Sequence, residues 1–167
     1  AVIQTKAKEL IVGTHGRSIY KIDISKVQEL TSEVLANNLH LFKVNDRTKS
    51  DRWGTQNYAW GKPSEPSQVV WFYSNVDGMV NVSITNESGK AVHTQKVEAK
   101  KGLNSFVFDY SMPKNVADNW NKKDKNIKIK EAENKKFYLP IGKYKVTISK
   151  DKVSESKTFE LTAPKKQ

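Results

Sequence analysis

The segment Val80-Asn81-Val82-Ser83-Ile84-Thr85 alternates apolar and polar side chains with a period of two. That period puts Val80, Val82 and Ile84 on one face of an extended strand and the polar residues on the other. The pattern recurs downstream in Lys143-Tyr144-Lys145-Val146-Thr147-Ile148-Ser149, where Tyr144, Val146 and Ile148 share a face. Between and around these lie further strand signals: Gln68 to Tyr73, Ala91 to Val97, Gly102 to Tyr110 and Ser156 to Leu161. Asn86-Glu87-Ser88-Gly89-Lys90 supplies turn chemistry between two of them. Half-buried strands at turn-separated intervals over roughly one hundred residues predict an immunoglobulin- or fibronectin-like β-sandwich of about seven strands, and the fold class is mainly β. We place this sandwich at 66–164, with 165–167 as a tail.

The segment 112–136 interrupts the rhythm. It is polar and lysine-rich, contains Trp120, and reads as an insertion that is partly ordered at best. Upstream, 45–65 is an irregular loop punctuated by Trp53-Gly54, Trp60-Gly61, Pro63 and Pro66. The region 25–44 reads as a connector: Thr31 is placed to cap a short helix carrying Glu33, Val34 and Leu35, and Leu39 to Val44 is extended and apolar. Residues 1–24 hold two apolar strands around Gly13-Thr14-His15-Gly16-Arg17, a hairpin whose two glycines suit positive φ angles. An isolated two-stranded hairpin is marginal in water, so this one needs a larger sheet. The chain therefore reads as the C-terminal piece of a longer protein.

Composition narrows the chemistry. The 167 residues contain no cysteine, which removes thiolate ligands, cysteine nucleophiles and disulfides. No apolar run approaches the roughly 20 residues of a membrane-spanning helix. Lys+Arg 29 against Asp+Glu 18 gives a net charge of +11, carried almost wholly by lysine; Arg17, Arg47 and Arg52 are the arginines. Such a balance favours acidic partners, although lysine lacks the forked donors that read phosphates and guanines, and scattered lysine also serves simply to solvate a surface.

No catalytic constellation is legible, and neither a metal site nor a cofactor is expected. His15, His40 and His93 lack ligand spacing. Asp46 and Asp109 qualify as glycosidase carboxylates by residue type alone. Gly13, His15, Gly16 and Arg17 are read as structural residues of the hairpin turn. Trp53, Tyr58 and Trp60 form the candidate glycan-binding set, because exposed rings in a Gly/Pro-marked loop can stack on the apolar face of a sugar. The alternative is that they plug an open end of the sandwich or pack on the connector. Trp120 among Lys114, Lys122, Lys123, Lys125, Lys128 and Lys130 is the one place where an aromatic ring meets dense positive charge.

The order of these motifs resembles a known family. The run from Glu9 to Tyr20, the Asp23-Ile24-Ser25 start of the connector, the Glu87-Ser88-Gly89-Lys90-Ala91-Val92 turn, Gly102-Leu103-Asn104, and Leu139-Pro140-Ile141-Gly142-Lys143-Tyr144-Lys145-Val146 occur together. They resemble the C-terminal region of exported bacterial proteins that carry a sortilin-like or Asp-box (BNR) repeat β-propeller and are often described as glycosyl hydrolases. The resemblance implies a last propeller hairpin, a helical connector and an accessory sandwich, located outside the cell, in the periplasm or at the cell surface. It further implies a non-catalytic C-terminal accessory module whose partner is its own N-terminal β-propeller, where any catalytic groups would lie. The alternatives are a carbohydrate-binding module or lysine-mediated binding to anionic polymers; nucleic acid is not an expected partner. Unpaired hairpin edges also leave room for oligomers formed by strand pairing.

Overall fold

The computed structural model describes residues 1–16, 18–56, 58–123 and 127–164. Three strands open the chain: β1 (Val2–Gln4), β2 (Glu9–Gly13) and β3 (Ile19–Asp23) form an antiparallel sheet of their own. The connector follows as two short helices, α1 (Ser25–Gln28) and α2 (Ser32–Ala36). Thr31 caps the second, its side chain accepting from the Val34 amide. Next come β4 (Leu39–Leu41), β5 (Arg47–Thr48), β6 (Gln68–Ser74), β7 (Gly78–Asn86), β8 (Ala91–Ala99) and β9 (Gly102–Phe108). Beyond these lie β10 (Ser111–Met112), α3 (Lys114–Lys123), β11 (Phe137–Tyr138), β12 (Gly142–Lys150) and β13 (Val153–Thr162).

The fold is mainly β, as the alternation predicts. A five-stranded sheet in the order β5-β13-β12-β7-β8 supplies Val82 and Ile84 opposite Ile148 and Val146 in register. A three-stranded sheet in the order β4-β6-β9 supplies Leu41, Val70, Phe72, Phe106 and Phe108. Both sets belong to one hydrophobic core, so the inward faces of the two sheets meet as in a β-sandwich. Phe159 joins the aromatic centre, stacking on Tyr144 at 5.4 Å and meeting Phe108 edge-on at 6.3 Å.

Four features depart from the sequence reading. First, β4 pairs with β6 and buries Leu39 and Leu41, so sandwich strands begin within the segment read as connector. Second, the hairpin gains a third strand, because Val2 and Ile3 lie opposite Ile11 and Leu10. Third, Gly13 and Gly16 do not use positive φ. The turn is closed by Thr14, whose amide and hydroxyl both donate to the Ser18 carbonyl, and His15 is exposed. The positive φ expected of the two glycines is thus absent, and Arg17 lies outside the described residues.

Fourth, the described residues of the insertion include a helix and side chains packed on the core. Pro113 starts α3 with its carbonyl accepting from the Val116 and Ala117 amides, and Ala117 is fully buried. Asn121 then holds the returning chain in both directions: its Nδ2 donates to the Ile129 carbonyl at 2.8 Å, and its Oδ1 accepts from the Ile129 amide at 2.7 Å. Ile129 itself is buried. The lysine count suggested solvation, but the anchoring comes from a few small and amide side chains, which composition does not weigh. Lys125 lies outside the described residues.

Candidate functional site

The aromatic loop separates its three rings. Trp53 is only 8% exposed, stacks on Tyr110 at 5.3 Å and tilts against Tyr138 at 5.8 Å. It fills the sandwich end as a core residue and cannot share a platform with the other two. Gly54 explains the inward turn: its φ is +78°, and a Cβ there would lie 2.5 Å from Ala132 Cβ and 2.8 Å from Tyr138 Cε2.

Beyond Gly54 the chain is braced outward. The Gly54 amide donates to the Ser64 carbonyl at 2.8 Å, and the Ser64 amide donates to the Thr55 carbonyl at 2.9 Å. The Gln56 amide donates to Glu133 at 2.8 Å, its side chain donates to the Ala59 carbonyl, and the Gly61 amide donates to the Tyr58 carbonyl. At the tip, Tyr58 is 65% and Trp60 87% exposed. Their rings lie 5.7 Å apart and within 16° of parallel. Most of the Trp60 surface is thus left in water on a hydrogen-bonded loop, an arrangement that folding alone does not require.

A polar cluster underlies this loop. Lys136 Nζ donates to Asp109 Oδ2 at 2.9 Å and to Glu65 Oε2 at 3.0 Å, while Asp109 Oδ1 accepts from the Ser111 amide and hydroxyl. Burial pushes the Asp109 carboxyl up, but the Ser111 and Lys136 hydrogen bonds outweigh it and hold it below the ordinary range. Glu65 is held low by hydrogen bonds from Lys136 and Asn134, and Lys136 is raised, chiefly by Asp109. These carboxylates are fixed as ions in structural bonds, which is the opposite of what a general acid needs. Asp46 likewise accepts from the Glu160 amide at 2.8 Å beside β13. Burial pushes the Tyr110 phenol up to about 12, and its hydroxyl donates to Gln68. His93 is tied to the Ser111 carbonyl and packs edge-on against Phe108. Among the described residues no three His, Asp or Glu side chains are grouped to hold a metal ion. No helix of the described residues is long and apolar enough to cross a membrane.

The second candidate surface is the β1–β3 sheet. Its register aligns Ile3, Leu10 and Ile22 across the three strands and Val12 with Tyr20 across two. With the strand alternation, these five share one face, and none of them is polar apart from the tyrosine hydroxyl. The opposite face mixes Val2, Ile11 and Ile19 with Gln4, Glu9, Lys21 and Asp23. None of the five belongs to the buried core; Ile3, Tyr20 and Ile22 are exposed. Reading residues 9–20 as a hairpin missed the contribution of Ile3. The adjacent pair Val2-Ile3 was the available signal.

No family model and no curated protein matches the sequence. Among solved structures, the chain is similar to the β-glucosidase EmGH1 of Erythrobacter marinus at 12% identity and a TM-score of 0.30, over 59% of this chain and 13% of that one. It is also similar to a β-glucosidase of Listeria innocua at 10% identity and a TM-score of 0.27, over 62% and 17%. The chain thus spans less than a fifth of either, and at these scores the likeness carries no argument about function.

Proposed function

We propose that this chain is a non-catalytic interaction module, a β-sandwich attached through its β1–β3 sheet to a β-propeller in the manner of the sortilin-like proteins it resembles. The observation that carries the reading is the apolar face of Ile3, Leu10, Val12, Tyr20 and Ile22, of which Ile3, Tyr20 and Ile22 are exposed and none is fully buried among the described residues. A sheet face of that composition gains its stability by burial against another layer. Neighbouring propeller blades would supply such a layer. The connector touches both parts: the Ile24 amide donates to the Lys8 carbonyl, and Lys26 lies 5.5 Å over the Phe42 ring.

The test is the coding sequence upstream of Ala1. A frame that runs into repeated four-stranded blades with Asp-box turns supports the reading, and an upstream sequence without blade repeats overturns it.

A second reading, carbohydrate binding, is favoured by Tyr58 and Trp60. Two near-parallel exposed rings on a braced loop suit the apolar face of a sugar ring. Affinity electrophoresis in gels cast with neutral polysaccharides tests it: retardation that disappears in Trp60→Ala supports this reading, and the absence of retardation on every gel removes it.

A further inference from the structure

A cleft of about 450 Å³ lies between the C-terminal end of α3, the β7–β8 turn and the start of β12, away from both surfaces described above. Trp120 forms part of its wall, with its other side packed on the core. The half-exposed Ile141 adds an apolar edge. Lys90, Lys123 and Lys143 also line the cleft, and among the described lining residues Glu87 is the one carboxylate. None of the three lysines takes part in an ion pair among the described residues.

The frame of the cleft is fixed. Asn86 Oδ1 accepts from the Ser88 hydroxyl and the Lys90 amide, and Gly89 completes the turn at φ +76° with its amide donating to the Asn86 carbonyl. Tyr144, beneath Lys143, is buried and donates to the Pro140 carbonyl at 2.7 Å. On α3, Trp120 follows the fully buried Ala117 by three residues, so core packing orients the indole. Among the described lining residues three lysines accompany a single carboxylate, a balance that attracts anions, and an indole wall favours a ligand with an apolar ring face. Single-stranded nucleic acid is bound by several successive aromatic platforms, whereas this cleft offers one, with no arginine to grip a phosphate in two places. A sugar that bears its own carboxylate meets both requirements in one unit.

We propose that this cleft binds acidic polysaccharide, a uronic acid unit laying its ring against Trp120 with its carboxylate among Lys90, Lys123 and Lys143. The inference uses residues that neither reading of the proposed function requires. The experiment compares polygalacturonate with neutral galactan as ligands for the full 167-residue chain, by affinity electrophoresis and titration calorimetry at low and moderate salt. Expected are preferential binding of polygalacturonate, weakening with salt, and a loss of about tenfold or more in Lys90→Glu/Lys143→Glu, with thermal melts showing the variant folded. Equal affinity for galactan, no binding of polygalacturonate, or unchanged affinity in the double reversal would overturn the proposal. So would tighter binding of a single-stranded oligonucleotide or of a polyaspartate peptide.

Discussion

Lys136 donates to Asp109 across 2.9 Å, joining the end of the lysine-rich insertion to the residue that follows β9. Glu65 shares the same ammonium, so one cation ties three stretches of chain that are remote in sequence. Both partners remain partly in solvent, and the pair is worth less than its geometry alone suggests.

The sign of its pH dependence follows from Asp109. The folded carboxyl titrates below its ordinary 3.8, so its contribution is complete above that value and is lost as pH falls through the folded pKa. Lys136 is raised, so its contribution is intact below its ordinary 10.5 and disappears only at still higher pH. Asp109→Asn should therefore cost about 1–2 kcal/mol at pH 7, with the difference from the parent shrinking below about pH 4. Urea unfolding of both proteins across pH 2.5–8 measures this.

Trp53 and Trp60 should respond in opposite ways. Trp53→Ala opens a cavity beside Tyr110 and Tyr138 and should cost about 3–5 kcal/mol. Trp60→Ala removes an 87% exposed ring and should change stability by no more than about 0.5 kcal/mol. Thermal melts of the two variants check the contrast, and equal destabilisation would mean that the loop holds both rings alike.

Gly54 is the position where this loop tolerates no side chain. Gly54→Ala combines a left-handed backbone with a Cβ placed 2.5 Å from Ala132 and should destabilise by about 2–4 kcal/mol. Gly13→Ala meets nothing within 4 Å and requires no unusual φ, so it should be nearly neutral. Chemical denaturation of the two alanine variants tests the pair.

The apolar face of the first sheet should matter for association and not for the sandwich. Leu10→Lys and Ile22→Lys lie outside the buried core and should leave the main unfolding transition within about 0.5 kcal/mol of the parent. Calorimetry would show a lowered main transition if that face supported the sandwich.

How much of this was legible depended on period and reach. The alternation of Val80, Val82 and Ile84 with Tyr144, Val146 and Ile148 specified strands and inward faces directly, and β7 pairs with β12 through those residues. The division of Trp53 from Trp60 was not legible, because both sit in the same kind of Gly-marked loop; what separates them is Ala132 and Tyr138, about eighty residues away, pressing on Gly54. The order of the insertion was hidden for a similar reason, since Asn121 and Ile129 hold it through hydrogen bonds while its lysines dominate the composition. Thr14 closes the β2–β3 turn by donating to the Ser18 carbonyl while Gly13 and Gly16 take no positive φ, a local choice that glycine content obscured.

The most direct measurement is amide hydrogen exchange in the 167-residue chain and in the same chain extended through its native upstream sequence. β2 and β3 should exchange quickly in the shorter chain while β7 and β12 are protected to the global limit, and β2 and β3 should gain about a hundredfold protection or more in the longer chain. Equal and strong protection of β2 and β3 in both would show a sheet that needs no partner layer, and would contradict attachment through the β1–β3 sheet.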